Sequence, residues 1–266
     1  MQLGGKSYFW LEKTNVVSMI QEYQVSGFRV REYEELGSTN TEAERVGWSE
    51  LEDKMVILTY RQTQGRGQVG NHWESEPGKN ISMTVVFKPR ELPAGQQFAV
   101  SMVIALGACD FISRYVNECS VKWPNDIYVG DRKISGILIE HSIMGRYVGG
   151  SLCGIGVNIN QEQFLSDAPN PVSLFQLLGR ELPLQEVLEE LLECIGKRYE
   201  QIHRYAELEN DFLRHMYRST GIYDFEDERG IFRASVGGID EYGQLILKDT
   251  DGRERVYAFK EVRYVC

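Results

Sequence analysis

Three short runs in this 266-residue chain hold residue types that handle anions and planar rings. The first is Gly65-Arg66-Gly67-Gln68-Val69-Gly70-Asn71-His72-Trp73. Its glycines let backbone approach a ligand closely, and successive N–H groups in such a stretch can form a nest for an anion. Arg66 adds a permanent charge and fork-shaped donors that fit carboxylate or phosphate. The run reads as a clamp for a small anionic group; a glycine-rich turn carrying a solvated arginine is an equally good reading of it alone. Few apolar anchors precede Trp73, so the loop is expected to be loose until a ligand orders it.

The second run is Lys122-Trp123-Pro124-Asn125-Asp126-Ile127, with Lys133-Ile134-Ser135-Gly136-Ile137-Leu138-Ile139-Glu140 just beyond it. A partly desolvated lysine on an apolar strand, next to a glycine that admits a ligand, suits a developing negative charge. The other reading is an edge-strand lysine that discourages sheet-to-sheet pairing. The third run is Gly154-Ile155-Gly156-Val157-Asn158-Ile159-Asn160. Alternating glycines give a flat strand on which a planar ring can lie, and Asn158 offers donor and acceptor to a base edge. Glycines that simply allow close strand packing remain open there.

The elements that must position these runs are legible in outline. A strand over 28–36 leads to Ser38-Thr39-Asn40, three favoured N-cap types, ahead of a helix over 41–51. Apolar strands at 55–60 and 81–87 bracket the glycine loop. Pro93 introduces a helix over about 97–116, apolar on most faces and therefore buried. Strands at 121–123, 127–129, 133–140 and 147–158 follow, joined by turn residues. Leu184, Val187, Leu188, Leu191, Leu192, Ile195, Tyr199 and Ile202 recur at helical spacing. From about Gly221 short strands with glycine turns suit a small β barrel. Strands cluster instead of alternating with helices, so the fold class is α+β: a mixed or antiparallel sheet with segregated helices. The expected division is an extension over 1–28 without assigned role, a main domain over 29–220 and a small domain over 221–266.

A net charge of −10 disfavours a general nucleic-acid partner. Five cysteines without a Cys-x-x-Cys pair, and four scattered histidines, give neither a disulfide framework nor a metal-ligand set. This usage points to a reducing, cytoplasmic compartment. The most apolar stretch, 98–108, is too short to span a bilayer, so no membrane partner is expected. No signal-peptide pattern opens the chain.

Taken together, the runs resemble the biotin protein ligases from about Tyr33 to the C-terminal end. Ser38-Thr39-Asn40 matches the family's motif before its first helix, and Gln62 to Gly67 matches its Gln-Thr-x-Gly-Arg-Gly loop. The Lys-Trp-Pro-Asn-Asp turn is matched at 122–126, the Lys-x-x-Gly-Ile-Leu strand at 133–138 and the Gly-x-Gly-x-Asn strand at 154–158. Five matches in order make the set specific where each alone is weak.

The resemblance implies a class II synthetase-like catalytic domain, an SH3-like C-terminal barrel and a two-step reaction. Biotin and ATP, with Mg²⁺, give biotinyl-adenylate; a lysine of a biotin carboxyl carrier protein then takes the biotinyl group. By position, Ser38, Thr39, Asn40 and Gln62 hold the ureido ring, Gly136 and Leu138 line its pocket, and Gly65, Arg66, Gly67 and Gln68 close over carboxylate and phosphate. Lys133 stabilises the α-phosphate and contributes to both biotin and ATP sites, as does Arg66. Trp73 stacks on adenine, Asn158 reads its edge, and Asp126 orients or deprotonates the carrier lysine. Lys133, Arg66 and Asp126 are the catalytic candidates; no protein ligand for the metal is implied. Two departures stand out: Gln68 and Asn71 occupy positions where the family often has arginine. Only about 30 residues precede the matched region, whereas a helix-turn-helix reading head needs more, so a monofunctional ligase without DNA binding is expected. A lipoyl or octanoyl ligase shares this architecture and would need a long apolar tunnel; a non-catalytic biotin or nucleotide sensor is the alternative of another class.

Overall fold

Period-two alternation along a few central strands decides which face of the molecule is core and which is site. The structure, a computed structural model, describes residues 18–68, 70–166, 168–240 and 242–265. Its strands are β1 (Met19–Val25), β2 (Phe28–Tyr33), β3 (Met55–Thr59), β4 (Gly65–Arg66), β5 (His72–Trp73), β6 (Ile81–Phe87), β7 (Cys119–Lys122), β8 (Asp126–Val129), β9 (Arg132–Met144) and β10 (Tyr147–Val157). The helices are α1 (Thr39–Val46), α2 (Phe98–Ile112), α3 (Leu174–Leu178), α4 (Leu184–Tyr199) and α5 (Tyr205–His215). Eight strands form one mixed sheet in the order β1-β2-β3-β6-β10-β9-β8-β7. Only β2 and β3 pair in parallel there; the other pairs are antiparallel.

β3 and β6 are buried at every residue, as expected for central strands covered on both faces. Val56, Leu58, Met83, Val85, Phe87, Cys153, Ile155 and Val157 point to the large core, which also holds α2 and the apolar stripe of α4. Met55, Ile57, Val86 and Leu152 point the other way, into a smaller cluster with Ala43 of α1. Further along that second face, register places Thr84 opposite Gly154 and Ser82 opposite Gly156, with Leu138 and Gly136 beside those glycines. One face thus changes from apolar to polar and glycine-lined along its length.

α2 is buried at thirteen of its fifteen residues, so it has no polar face to show. By length and composition the helical stretch Ala94–Ile112 could cross a membrane, yet 67% of its most apolar window is buried within the protein. It is longer than the apolar stretch read from sequence because α2 is preceded by a 3-10 turn, Ala94–Gln96. α4 packs on α2 so closely that a Cβ added at Gly107 would lie 2.8 Å from Ile195 Cα.

The C-terminal strands are β11 (Tyr223–Asp227), β12 (Gly230–Ile239), β13 (Leu245–Asp249), β14 (Glu254–Tyr257) and β15 (Arg263–Tyr264). They form an antiparallel sheet ordered β14-β13-β12-β11-β15, with β14 and β15 as its edges. Phe225, Leu245, Leu247 and Tyr257 belong to the same large core as α2. Trp123 Nε1 donates to the Gly243 carbonyl at 2.8 Å, tying this sheet to the turn after β7.

Several boundaries differ from the sequence reading. β1 pairs with β2, so the main sheet starts before residue 29, at Met19. Residues 1–17 of the extension lie outside the described residues. The helix after Ser38 begins at Thr39 and stops at Val46, where Gly47 turns to φ 82°. α5 escaped sequence reading because its eleven residues bury only Leu208 and Phe212.

The α2–α4 contact has a measurable consequence. Gly107→Val should destabilise the fold by about 1–3 kcal/mol, the usual cost of overpacking, because the added atoms meet backbone that cannot yield easily. Urea denaturation checks it: an unchanged midpoint would mean that the helices have room to part.

Candidate active site

The polar end of the sheet's second face is the floor of a cavity of about 450 Å³. Glycine is required there by what sits on top. A Cβ at Gly156 would lie 2.2 Å from Trp73 Cε2, one at Gly136 3.0 Å from Trp73 Cζ3, and one at Gly154 2.3 Å from Asn40 Oδ1. The indole of Trp73 therefore rests directly on backbone. Its Nε1 is buried and has no partner among the described residues, as are Ser82 Oγ and Asn158 Oδ1.

The roof is the small hairpin β4/β5, in which Gly65 faces Trp73 and Arg66 faces His72. Its tip turns where Asn71 N donates to the Gln68 carbonyl at 2.8 Å. Gly65 is buried, and a Cβ there would lie 2.4 Å from the Trp73 carbonyl and 2.8 Å from Gln62 Nε2. The loop expected to be loose is thus fastened by strand pairing, by the seated indole and by Arg66. That arginine donates to Glu44 Oε1 at 2.8 Å and to Glu140 Oε1 at 2.7 Å.

One wall comes from the start of α1. Ser38 is its N-cap in extended conformation, but its hydroxyl makes no capping bond. Thr39 N donates to Gln62 Oε1 at 2.9 Å. The Thr84 hydroxyl lies 2.9 Å from Thr39 Oγ1 and 2.6 Å from Asn40 Oδ1, while Asn40 Nδ2 donates to Glu140 Oε2 at 2.8 Å. A buried polar row of Thr39, Thr84 and Asn40 thus backs this wall, and only Asn40 of the three lines the cavity.

The opposite wall is the turn from β7 to β8, where the Trp123–Pro124 peptide is cis. Asn125 Nδ2 donates to the Ile137 carbonyl, fastening the turn to β9. Lys133 forms an ion pair with Asp126 at 2.7 Å, its ammonium 5.8 Å from the centre of the Trp73 ring. Lys122 stands 4.5 Å from the ring centre of Tyr128, 5.3 Å from that of Tyr264 and 5.5 Å from that of Tyr217. Three aromatic faces hold that charge in place. Burial, with the Asp131 carboxylate accepting from its hydroxyl, pushes the Tyr217 phenol up to about 12, so it stays neutral.

The lining brings together Ser38, Asn40, Gln62, Arg66, Gly67, Gln68, Trp73, Asp126, Lys133, Gly136 and Leu138 of the residues expected from sequence. It does not include three others. Thr39 sits behind the wall, 3% exposed, engaged with Thr84 and Gln62. Gly65 is covered by Trp73, and Asn158 is buried with its Nδ2 donating to the Val172 carbonyl at 3.1 Å. Sequence reading gave no site role to Lys122, though it lies in a quoted motif, nor to Lys260, Arg263 and Tyr264. No motif in the tail singles out Lys260, Arg263 or Tyr264.

Charge is the cavity's most distinctive property. Arg66, Lys122, Lys133, Lys260 and Arg263 line it with the carboxylate of Asp126, while Glu44 and Glu140 hold Arg66 and Glu226 holds Arg263 from outside the lining. In a chain of net charge −10, the lysine side of the cavity is where an anion is best met.

Comparison with known proteins agrees with this geometry. Residues 33–158 match the Biotin/lipoate A/B protein ligase family. The chain is 30% identical over 236 residues to the biotin--[acetyl-CoA-carboxylase] ligase of Paracoccus denitrificans, covering 83% of this chain and 95% of that protein. This chain belongs to the biotin protein ligase family. The bifunctional ligase/repressor BirA of Bacillus subtilis is 26% identical over 244 residues, with 88% of this chain and 74% of that protein covered. In fold the ligase is similar to the Aquifex aeolicus biotin protein ligase solved with biotin and ATP, at a TM-score of 0.73 and 22% identity, over 89% of this chain and 99% of that one.

The seating of Trp73 can be read in solution. Gly156→Ala should lift the indole off the floor and shift tryptophan emission to the red, and Trp73→Phe in the same background should abolish that shift. Unchanged emission in Gly156→Ala would mean that Trp73 does not rest on Gly156.

Proposed function

We propose that this cavity joins biotin to ATP as biotinyl-5'-adenylate and then passes the biotinyl group to a lysine of a biotin carboxyl carrier protein. ATP-dependent biotin ligation is the activity of the family to which the chain belongs. The observation that carries the reading for these residues is the placing of Lys122 and Lys133 beside a glycine floor. A carboxylate and a triphosphate must be held together there, and both are anions.

In the first step an oxygen of biotin's carboxylate forms a bond to the α-phosphorus of ATP, and the bond to the bridging oxygen breaks with loss of pyrophosphate. Negative charge builds on the phosphate oxygens as phosphorus becomes five-coordinate. Lys133, positioned by Asp126, meets that charge, and Lys122 in its tyrosine cage meets the departing phosphates. Trp73 offers an aromatic face to adenine. Ser38, Asn40 and Gln62 offer the mixed donors and acceptors that a ureido ring needs. In the second step the carrier amine attacks the acyl carbon, AMP leaves, and the amine's surplus proton passes to a base; Asp126 is the carboxylate at hand.

Mg²⁺ accompanies ATP in this reading. The lining fits a metal held by triphosphate oxygens and water, with Asp126 as one carboxylate oxygen donor, since Mg²⁺ in such sites takes few protein ligands. Bound there, it would neutralise phosphate charge. Residues 19–220 act as the catalytic unit, and 221–266 as a small SH3-like β unit that closes one end of the cavity. The compartment is the cytoplasm. A lipoyl or octanoyl substrate is disfavoured because the wall at the start of α1 presents the polar Ser38, Asn40 and Gln62.

Incubation of the chain with biotin, ATP, Mg²⁺ and a carboxylase carrier domain should add one biotinyl group to the carrier, seen by mass spectrometry. Lys133→Ala should slow ATP–pyrophosphate exchange by at least about 10²-fold, the scale of losing one positioned electrostatic stabiliser, with thermal stability nearly unchanged. Exchange within a few-fold of wild type would remove Lys133 from the mechanism.

A further inference from the structure

Arg66 stands among three elements. Its Nη1 donates to Glu44 Oε1 of α1 at 2.8 Å and lies 3.5 Å from Thr41 Oγ1; its Nη2 donates to Glu140 Oε1 of β9 at 2.7 Å. The second oxygen of Glu140 accepts from Asn40 at 2.8 Å, and Asn40 is held in turn by Thr84. One positive charge therefore faces two carboxylates, a local balance of −1. An anion approaching this guanidinium meets repulsion, not a waiting receptor. Gln68 and Asn71, at the tip of the same hairpin, add no charge. The ammonium groups of Lys122 and Lys133 lie across the cavity, outside this cluster.

We propose that Glu140, seconded by Glu44, is a positioning residue that holds Arg66 as a strap, so that the paired strands β4 and β5 close over the pocket by the protein's own ion pairs. The ligand's anionic charge is then met by the lysines on the opposite wall. In a hairpin whose tip carries glutamine and asparagine, closure no longer depends on charge brought by the ligand. Each pair is partly exposed and weak alone, but both converge on one guanidinium and bind the hairpin to two different elements. As regards adenylate retention, the inference rests on the biotin ligation reading; as regards the strap itself, it does not.

The test uses the full chain and its variants Glu44→Gln, Glu140→Gln and Arg66→Gln. Amide hydrogen exchange is followed over residues 64–68 and 70–72 without added biotin. Each single variant should speed exchange there by about two- to fivefold, the range of exposed ion pairs. The Glu44 carboxylate meets Arg66, whereas that of Glu140 meets both Arg66 and Asn40, so an effect shared by Glu44→Gln and Glu140→Gln reports on Arg66 and not on the Asn40 bond. Adding Glu44→Gln to Arg66→Gln should bring no further change. In Glu44→Gln and Glu140→Gln, release of preformed biotinyl-adenylate should quicken by a similar factor, and KM for biotin should rise while kcat at saturation stays within about twofold; a general loss of folding would lower kcat as well. Unchanged exchange in both glutamate variants would overturn the strap. Tighter retention of the adenylate in Glu140→Gln would overturn it too, since the carboxylates would then be withholding Arg66 from the ligand. If wild type fails to biotinylate a carrier while the hairpin responds as described, the ligation reading fails and the strap stands.

Discussion

Close approach to bare backbone is the constraint from which the site follows. Gly154 and Gly156 on β10 and Gly136 on β9 share the second face of the main sheet, and two of them lie side by side in register. No other residue type leaves room for Trp73 and Asn40 at those distances. The same strands send Cys153, Ile155 and Val157 to the opposite face, where they pack with α2 and α4. A one-residue slip of β10 would bury the glycines among helices and put isoleucine under the indole. The large core therefore fixes the register, and the register makes the floor. This is why so much apolar surface on the far side of the sheet matters to chemistry on the near side.

Above that floor, charge is distributed unevenly. The wall built from α1 and β9 carries Glu42, Glu44 and Glu140, with Arg45 and Arg66 neutralised by carboxylates. The side beside the β7–β8 turn carries Lys122 of β7 and Lys133 of β9, with Asp126 paired to Lys133. A ligand with a neutral, hydrogen-bonding head and an anionic end is oriented by such a gradient: head toward Ser38, Asn40 and Gln62, anion toward the lysines. Biotin has that polarity, and a triphosphate beside its carboxylate strengthens it.

How much of this could be read from sequence depended on the kind of information involved. Strand and helix identity along 81–87, 98–112, 132–144 and 184–199 was legible because hydrophobic pattern is local. So was the grouping of the motifs, because each sits where a strand ends or turns. β1 was missed because an edge strand exposed at five of its seven positions has no alternating apolar pattern to betray it. α5 and the two-residue β15 were missed for similar reasons. Partner choice was the least legible: nothing local says that Arg66 faces Glu44 and Glu140, which lie 22 positions before it and 74 after it. Thr39 and Asn158 carry the right chemistry at the right spacing, yet the first points at Thr84 and the second at Val172. Spacing identifies a strand and its parity; which buried partner captures a side chain is decided only when distant segments meet.

The tail shows the same principle at larger scale. Lys122 gains its position from Tyr128 on the next strand, from Tyr217 after α5 and from Tyr264 on β15, three places far apart in the chain. Tyr264 arrives only when the last sheet has folded back onto the β7–β8 turn, to which Trp123 ties it through Gly243, whereas Tyr217 is held against β7 by its N–H bond to the Val121 carbonyl. Because Phe225, Leu245 and Leu247 share the core of α2, this docking is not a loose contact between separate bodies. A lysine on a short strand would otherwise be free to reach solvent, where its charge is weakened by water. Caged between aromatic faces, it keeps its charge at a fixed point in a partly dry cavity, and that is the form in which an ammonium group acts most strongly on a phosphate. The last forty residues, silent as a motif, thus set the strength of a charge that the first recognisable motifs require.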